Sequence, residues 1–209
     1  MAHTHHDHRL DVDASLAFIN TLEHSASGDE DELVTFDTAL GWLVEHGALH
    51  ESSVGDARRE DGDHGLDLVR RARAALREVV DAAVEARPPT RAAVTEINRL
   101  LATIPPAELV ATADGVIVGH RHDRDALRDA LAKVASPIAD LLADGRPERL
   151  HVCDNDQCRW VFYDTSPTGR RRWCDMGSCG NRAKAARHRA RRRAGGGLAA
   201  SEERAAPQT

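Results

Sequence analysis

Apolar residues recur at helical spacing along most of the first 145 positions. Leu16, Ile19 and Leu22 predict a helix, capped by Asp13 and running to about His24. Asn20 and Thr21 interrupt its apolar run, and read either as groups bonded within the protein or as contacts to a small ligand. The acidic run at 28–32 reads as a solvated loop. Thr35 caps a helix through Phe36, Leu40, Trp42 and Leu43 that ends near Gly47, and 51–63 reads as a loop or a short turn of helix. Leu66 to Arg87 is a long helix stopped by Pro88 and Pro89. Thr90 opens the next, with Val94, Ile97, Leu101 and Ile104 inward, as far as Pro105 and Pro106. Two β-like runs, Glu108 to Thr112 and Val116 to His120, flank Asp114-Gly115, a hairpin turn signal. Asp123 caps a last helix through Leu127, Leu131, Val134, Ile138 and Leu142, with a kink expected at Pro137.

The pattern changes near residue 148. Arg159 to Tyr163 has strand character, Thr165 to Gly169 carries turn residues, and Arg171 to Cys174 reads as the returning strand of a hairpin. From Cys179 a helix begins in which Ala183, Ala186 and Ala190 share one face and basic residues fill the others. The fold class expected is a mainly α N-terminal domain with a small β-hairpin (α+β), followed by a C-terminal finger made of a β-hairpin and a basic helix. The boundaries drawn are a disordered His-rich tail over 1–8, a helical domain over 9–147, the finger over 148–194 and a disordered tail over 195–209.

The finger holds every cysteine of the chain: Cys153, Cys158, Cys174 and Cys179, two CxxxxC pairs. Without a secretory signal, paired cysteines on short turns read as tetrahedral thiolate ligands, for Zn2+ before an iron–sulfur cluster or a thiol switch. A piece of about 40 residues rarely folds on burial alone, so the metal would supply folding energy. Trp160, Phe162, Tyr163 and Trp173 are expected to pack beside it. His120 and His122, with Asp123, make a poorer candidate site, as does the histidine-rich start of the chain.

Charge sharpens the division. Residues 159–193 carry eleven Arg or Lys against two acids, whereas residues 1–158 carry sixteen against thirty, within a formal net charge of -6. An acidic body with a basic head is the asymmetry expected where one end meets a polyanion. No apolar run reaches the ~18 residues of a membrane span and the N-terminus is polar, so a cytoplasmic protein is expected.

The tetrapeptide Cys179-Gly180-Asn181-Arg182, preceded by RRWCDMGS and CDNDQCRWVFYDTS, resembles the CGNR zinc finger family. Members join this finger to an N-terminal ABATE domain, which residues 9–147 resemble in their order of elements, and are regarded as stress-induced transcriptional regulators. The resemblance implies zinc at the four cysteines and DNA binding by the finger.

The function expected is therefore a zinc-dependent transcription regulator that contacts double-stranded DNA, its N-terminal domain sensing a small-molecule or protein ligand; a homodimer is also considered. Arg170, Arg171 and Arg172 of the turn, and Asn181, Arg182, Lys184, Arg187, His188, Arg189, Arg191, Arg192 and Arg193 of the helix, are the candidate DNA contacts. Asn181 and Arg182 have a second reading as supports of the metal site. The rivals are an RNA-binding module and a redox-sensing zinc adaptor that binds protein. No catalytic constellation is present, and an enzyme is not expected.

Overall fold

The computed structural model describes residues 10–25, 28–104, 107–112, 115–120 and 125–202. The histidines at 3–8, together with His122 and Asp123, fall outside them.

Helix α1 spans Val12–Asn20. Its cap lies two residues before the expected one, because Asp11 rather than Asp13 accepts the amide of Ala14, at 2.7 Å. It also ends earlier. The Thr21 hydroxyl donates back to the Phe18 carbonyl, and strand β1 (Leu22–Ser25) then pairs antiparallel with β2 (Gly28–Asp31). The acidic run is thus half of a hairpin rather than a free loop, and the last residue of β2 explains why. Asp31 receives both Nη atoms of Arg73 at 2.7 Å, and Arg73 is buried and also donates to the Thr21 hydroxyl at 2.8 Å. The carboxyl of Asp31 lies below its ordinary range: burial opposes this, but the hydrogen bonds from Arg73 and Leu33 and the charges of Arg73 and Arg70 outweigh it.

Helix α2 (Phe36–Glu45) opens with a reciprocal capping box between Thr35 and Thr38. The next segment is more ordered than its composition suggests, with an eight-residue helix α3 (Val54–Asp61) between two 3-10 turns. Helix α4 (Gly65–Val84) is the longest of the body. Its first residue must be glycine, since a Cβ there would sit 2.2 Å from the Phe36 ring. Thr90 caps α5 (Arg91–Leu101). The expected hairpin forms as β3 (Ala107–Thr112) and β4 (Gly115–His120), and leaves Leu109 and Val116 exposed. Helix α6 (Ala126–Asp144) takes Asp125 as its cap and carries Pro137 internally. Among the described residues no helix is long and apolar enough to cross a membrane.

Phe18, Ile19, Leu40, Leu43, Leu76, Leu127, Leu131 and Ile138 form the centre of the core, which α1, α2, α4 and α6 supply between them. Two further strands belong to it. Strand β5 (Leu150–Val152) pairs antiparallel with β6 (Val161–Tyr163), in the register Leu150 with Tyr163, His151 with Phe162 and Val152 with Val161. This corrects the expected pairing. Arg171 to Cys174 forms no strand; its backbone meets the finger through the amide of Asp154, which donates to the Arg172 carbonyl at 2.9 Å. The residues before the first cysteine are the better partner because Leu150 and Val152 present the apolar face that pairing on the body requires.

Strand β6 serves two cores, since successive side chains point to opposite faces. Val161 and Tyr163 pack into the main core, while Phe162 joins Trp173 and the cysteines in a second, small cluster. The four aromatic residues expected around the metal therefore divide. Trp160 lies outside both clusters, 37% exposed, with its indole N–H donated to Glu23. A single turn of π-helix (Met176–Gly180), which contains the fourth cysteine, leads into α7 (Asn181–Glu202), which runs past the 194 boundary drawn from sequence.

Candidate metal centre

Each cysteine pair closes a tight turn. In the first, the Asn155 carbonyl accepts the amides of Cys158 and Arg159, at 2.8 and 3.1 Å, and Arg159 takes a φ of 56° to redirect the chain into β6. The amide of Cys153 donates across to Trp160 O at 2.8 Å. In the second, the Asp175 side chain accepts the amide of Ser178 and its carbonyl accepts the amide of Gly180. Hydrogen bonding from Ser178 to the carboxylate holds the Asp175 carboxyl below its ordinary range. Gly180 is enclosed, since a Cβ would come within 2.9 Å of the Met176 sulfur.

The turns bring all four Sγ atoms within 4.8 Å of one another, with Cys158 to Cys174 at 3.6 Å and Cys174 to Cys179 at 3.9 Å. None is joined in a disulfide. An ion held tetrahedrally by thiolates at about 2.3 Å requires sulfurs about 3.8 Å apart, so the cluster has the dimensions of a four-thiolate site. Cys153 and Cys179 are buried and the other two half-buried.

The electrostatics point the same way. Burial pushes the Cys158 thiol up to about 11 and raises Cys174 further, and the neighbouring sulfurs add to both. Cys179 is shifted down: burial opposes this, but the Asn155 amide donates to its sulfur at 3.2 Å and the other cysteines contribute hydrogen bonds. Four such sulfurs can be anionic together only around a cation. The four cysteines form a metal site.

Several residues that support this site were not picked out from sequence. Asn155 bonds within its own turn, through Gln157 N at 3.3 Å, and to the sulfur of the other, so one side chain ties both turns together. Its only sequence signal is an asparagine at a turn position. Asp164 is fully buried and organises the 164–171 loop, accepting the amides of Ser166 at 2.9 Å and Arg171 at 2.8 Å. Despite burial, those bonds and the nearby His151 hold its carboxyl down at about 2. Arg149 closes the loop from outside, donating to the carbonyls of Asp164 and Ser166 at 2.7 and 2.8 Å.

The candidate DNA contacts separate into two groups. Arg171 is half-buried, donates to the Cys174 carbonyl and lies over the Phe162 ring at 5.2 Å, so it braces the metal turn. Arg172 pairs with Asp154 and, like Arg187, approaches the Trp173 ring. Asn181 donates to Gly177 O at 2.8 Å and closes the second turn. Arg170, Arg182, Lys184, His188, Arg189, Arg191 and Arg192 are exposed, and their side chains bond to no other described residue. Arg193 lies in the same helix. The helix is exposed from Lys184 to Arg192, including its alanine face at Ala186 and Ala190. Asn20 and Thr21 bond within the protein: Asn20 to β6, and Thr21 to Phe18 and Arg73.

A mainly helical body that shares a core strand with a four-cysteine knuckle defines a two-module metal-finger protein. Residues 13–145 match the ABATE family, described as "Putative stress-induced transcription regulator", and residues 149–192 match the CGNR zinc finger. The chain belongs to the ABATE family and carries a CGNR finger at its C-terminal end. No curated protein matches it.

Proposed function

We propose that the chain is a zinc-dependent regulator whose finger binds duplex DNA along helix α7. The observation that carries this reading is the helix itself. It leaves the metal centre one residue after Gly180 and presents Arg182, Lys184, His188, Arg189, Arg191 and Arg192 to solvent, with no acidic residue before Glu202. Zinc is the ion assigned, because a closed, soft four-sulfur site selects it among common divalent ions. Cys153, Cys158, Cys174 and Cys179 would hold it, and its role is to fix the angle at which α7 departs from the body.

A straight cationic helix of this width fits a duplex major groove, with arginines on phosphates and a few side chains on base edges. Arg170, exposed on the 164–171 loop, is a further phosphate contact. The reading assigns the chain no catalytic step. Anisotropy of a labelled duplex against a salt series tests it: with about six phosphates neutralised, the slope of log affinity on log salt should be near about -5. A flat response, or equal loss to a single-stranded competitor, would refute it.

A further inference from the structure

The body contains a groove of about 540 Å³ between α5 and the C-terminal half of α6, floored by α4. Leu76, Val79, Val94, Ile97, Ile138 and Leu142 line it. Its size is that of a small-molecule site, where apolar walls bury the ligand and a few polar groups orient it.

The polar groups are few and unequal. Arg87 lies at the edge but is fully occupied: its Nη atoms donate to Glu78 at 2.9 and 2.8 Å and its Nε to Glu85 at 2.6 Å. Asn98 and Glu148 also line the groove, and neither side chain bonds to any described residue. Glu148 is thus the one uncompensated charge among the lining residues, set beside apolar walls, while the only lining cation is neutralised twice over. An anionic ligand would meet Glu148 and a guanidinium already occupied by Glu78 and Glu85. A lipophilic cation would gain both the walls and Glu148.

Glu148 also sits in the 3-10 turn Pro147–Arg149, and the next residue clamps the finger loop through Asp164 and Ser166. A molecule in the groove therefore touches the turn that sets the position of Arg170 and the metal turns.

We propose that this groove binds lipophilic cations, with Glu148 reading the charge and the Pro147–Arg149 turn relaying occupancy to the finger. The relay rests on the proposed nucleic-acid role of the finger; the binding site does not.

Isothermal titration of the full-length, metal-loaded protein with tetraphenylphosphonium tests the site, with tetraphenylborate as the anion of matched shape. One phosphonium per chain is expected, with the borate at least about tenfold weaker. Glu148→Gln should weaken phosphonium binding by about tenfold or more, and Ala139→Trp, which fills the groove from its α6 wall, where Ala139 lines it, should abolish it. Should Ala139→Trp not fold, the surface substitution at Glu148 still decides. Absence of phosphonium binding, equal affinity for the borate, or an unchanged Glu148→Gln would overturn the proposal. A protein that binds the cation but no duplex refutes the nucleic-acid reading alone, and one that binds duplex but no cation refutes the groove alone.

Discussion

Asn20 holds Val161 with both ends of its amide: its Nδ2 donates to the Val161 carbonyl at 2.9 Å, and the Val161 amide donates to its Oδ1 at 3.0 Å. The two residues lie 141 positions apart, and both bonds are buried. The side chain acts as one more rung of β-ladder, offered to β6 by the end of a helix. Asn20→Ala leaves a buried donor and a buried acceptor without partners, which costs about 2–4 kcal/mol. Urea unfolding should show that loss, and Asn20→Asp should recover only part of it, because a carboxylate accepts from Val161 but cannot donate to it.

The Arg73–Asp31 pair predicts an acid dependence. Asp31 is held below its ordinary value of 3.8, so its contribution is fully present above that value and is lost as pH falls through the lower native one. Asp31→Asn should flatten the stability curve in that window when unfolding is followed between about pH 5 and 2. At neutral pH, Arg73→Met should cost about 3–5 kcal/mol, since it leaves part of a buried ion pair uncompensated.

Metal removal should expose the thiols. A strong chelator is expected to make all four cysteines reactive to a thiol reagent and to reduce the helical circular dichroism of α7. Because Cys158 and Cys174 are raised above the usual thiol range, protons compete for the sulfurs. Apparent affinity in a chelator competition should therefore fall by more than about tenfold per pH unit between pH 8 and 6.

Asn155 bonds to a sulfur without being a ligand. Asn155→Ala should weaken metal retention about 10- to 100-fold while leaving the metal-loaded fold intact. The chelator competition reads the first, and near-ultraviolet dichroism of Trp173 the second.

Neighbouring arginines should behave differently. Arg170→Ala should lower duplex affinity and reduce the salt slope by about 1, with metal affinity unchanged. Arg171→Ala should instead loosen the metal site, because its guanidinium bonds the Cys174 carbonyl and covers Phe162.

Much of this was readable from residue order. The capping threonines at 35 and 90, the Asp-Gly hairpin and the four cysteines each rest on short-range chemistry, and each lies where that chemistry places it. What periodicity could not reveal is long-range. The run at 28–32 looks solvated until Arg73, 42 residues on, is seen to meet Asp31. The partner of β6 is not legible in residue order, because the apolar face of Leu150 and Val152 has meaning only against α4. Arg171 and Arg172 count as cations in a charge tally, yet the ring of Phe162 and the carboxylate of Asp154 engage them.

Strand β6, walled by the body on one side and by the sulfur cluster on the other, makes these modules poor candidates for exchange. A body truncated at residue 148 would lose Leu150 and Val161 and bare the end of α1, and a finger excised there would carry Val161 and Tyr163 into water. Grafting this finger onto another scaffold would require the recipient to supply an Asn20 equivalent and a matching hollow. The two halves therefore have to be inherited as a fitted pair.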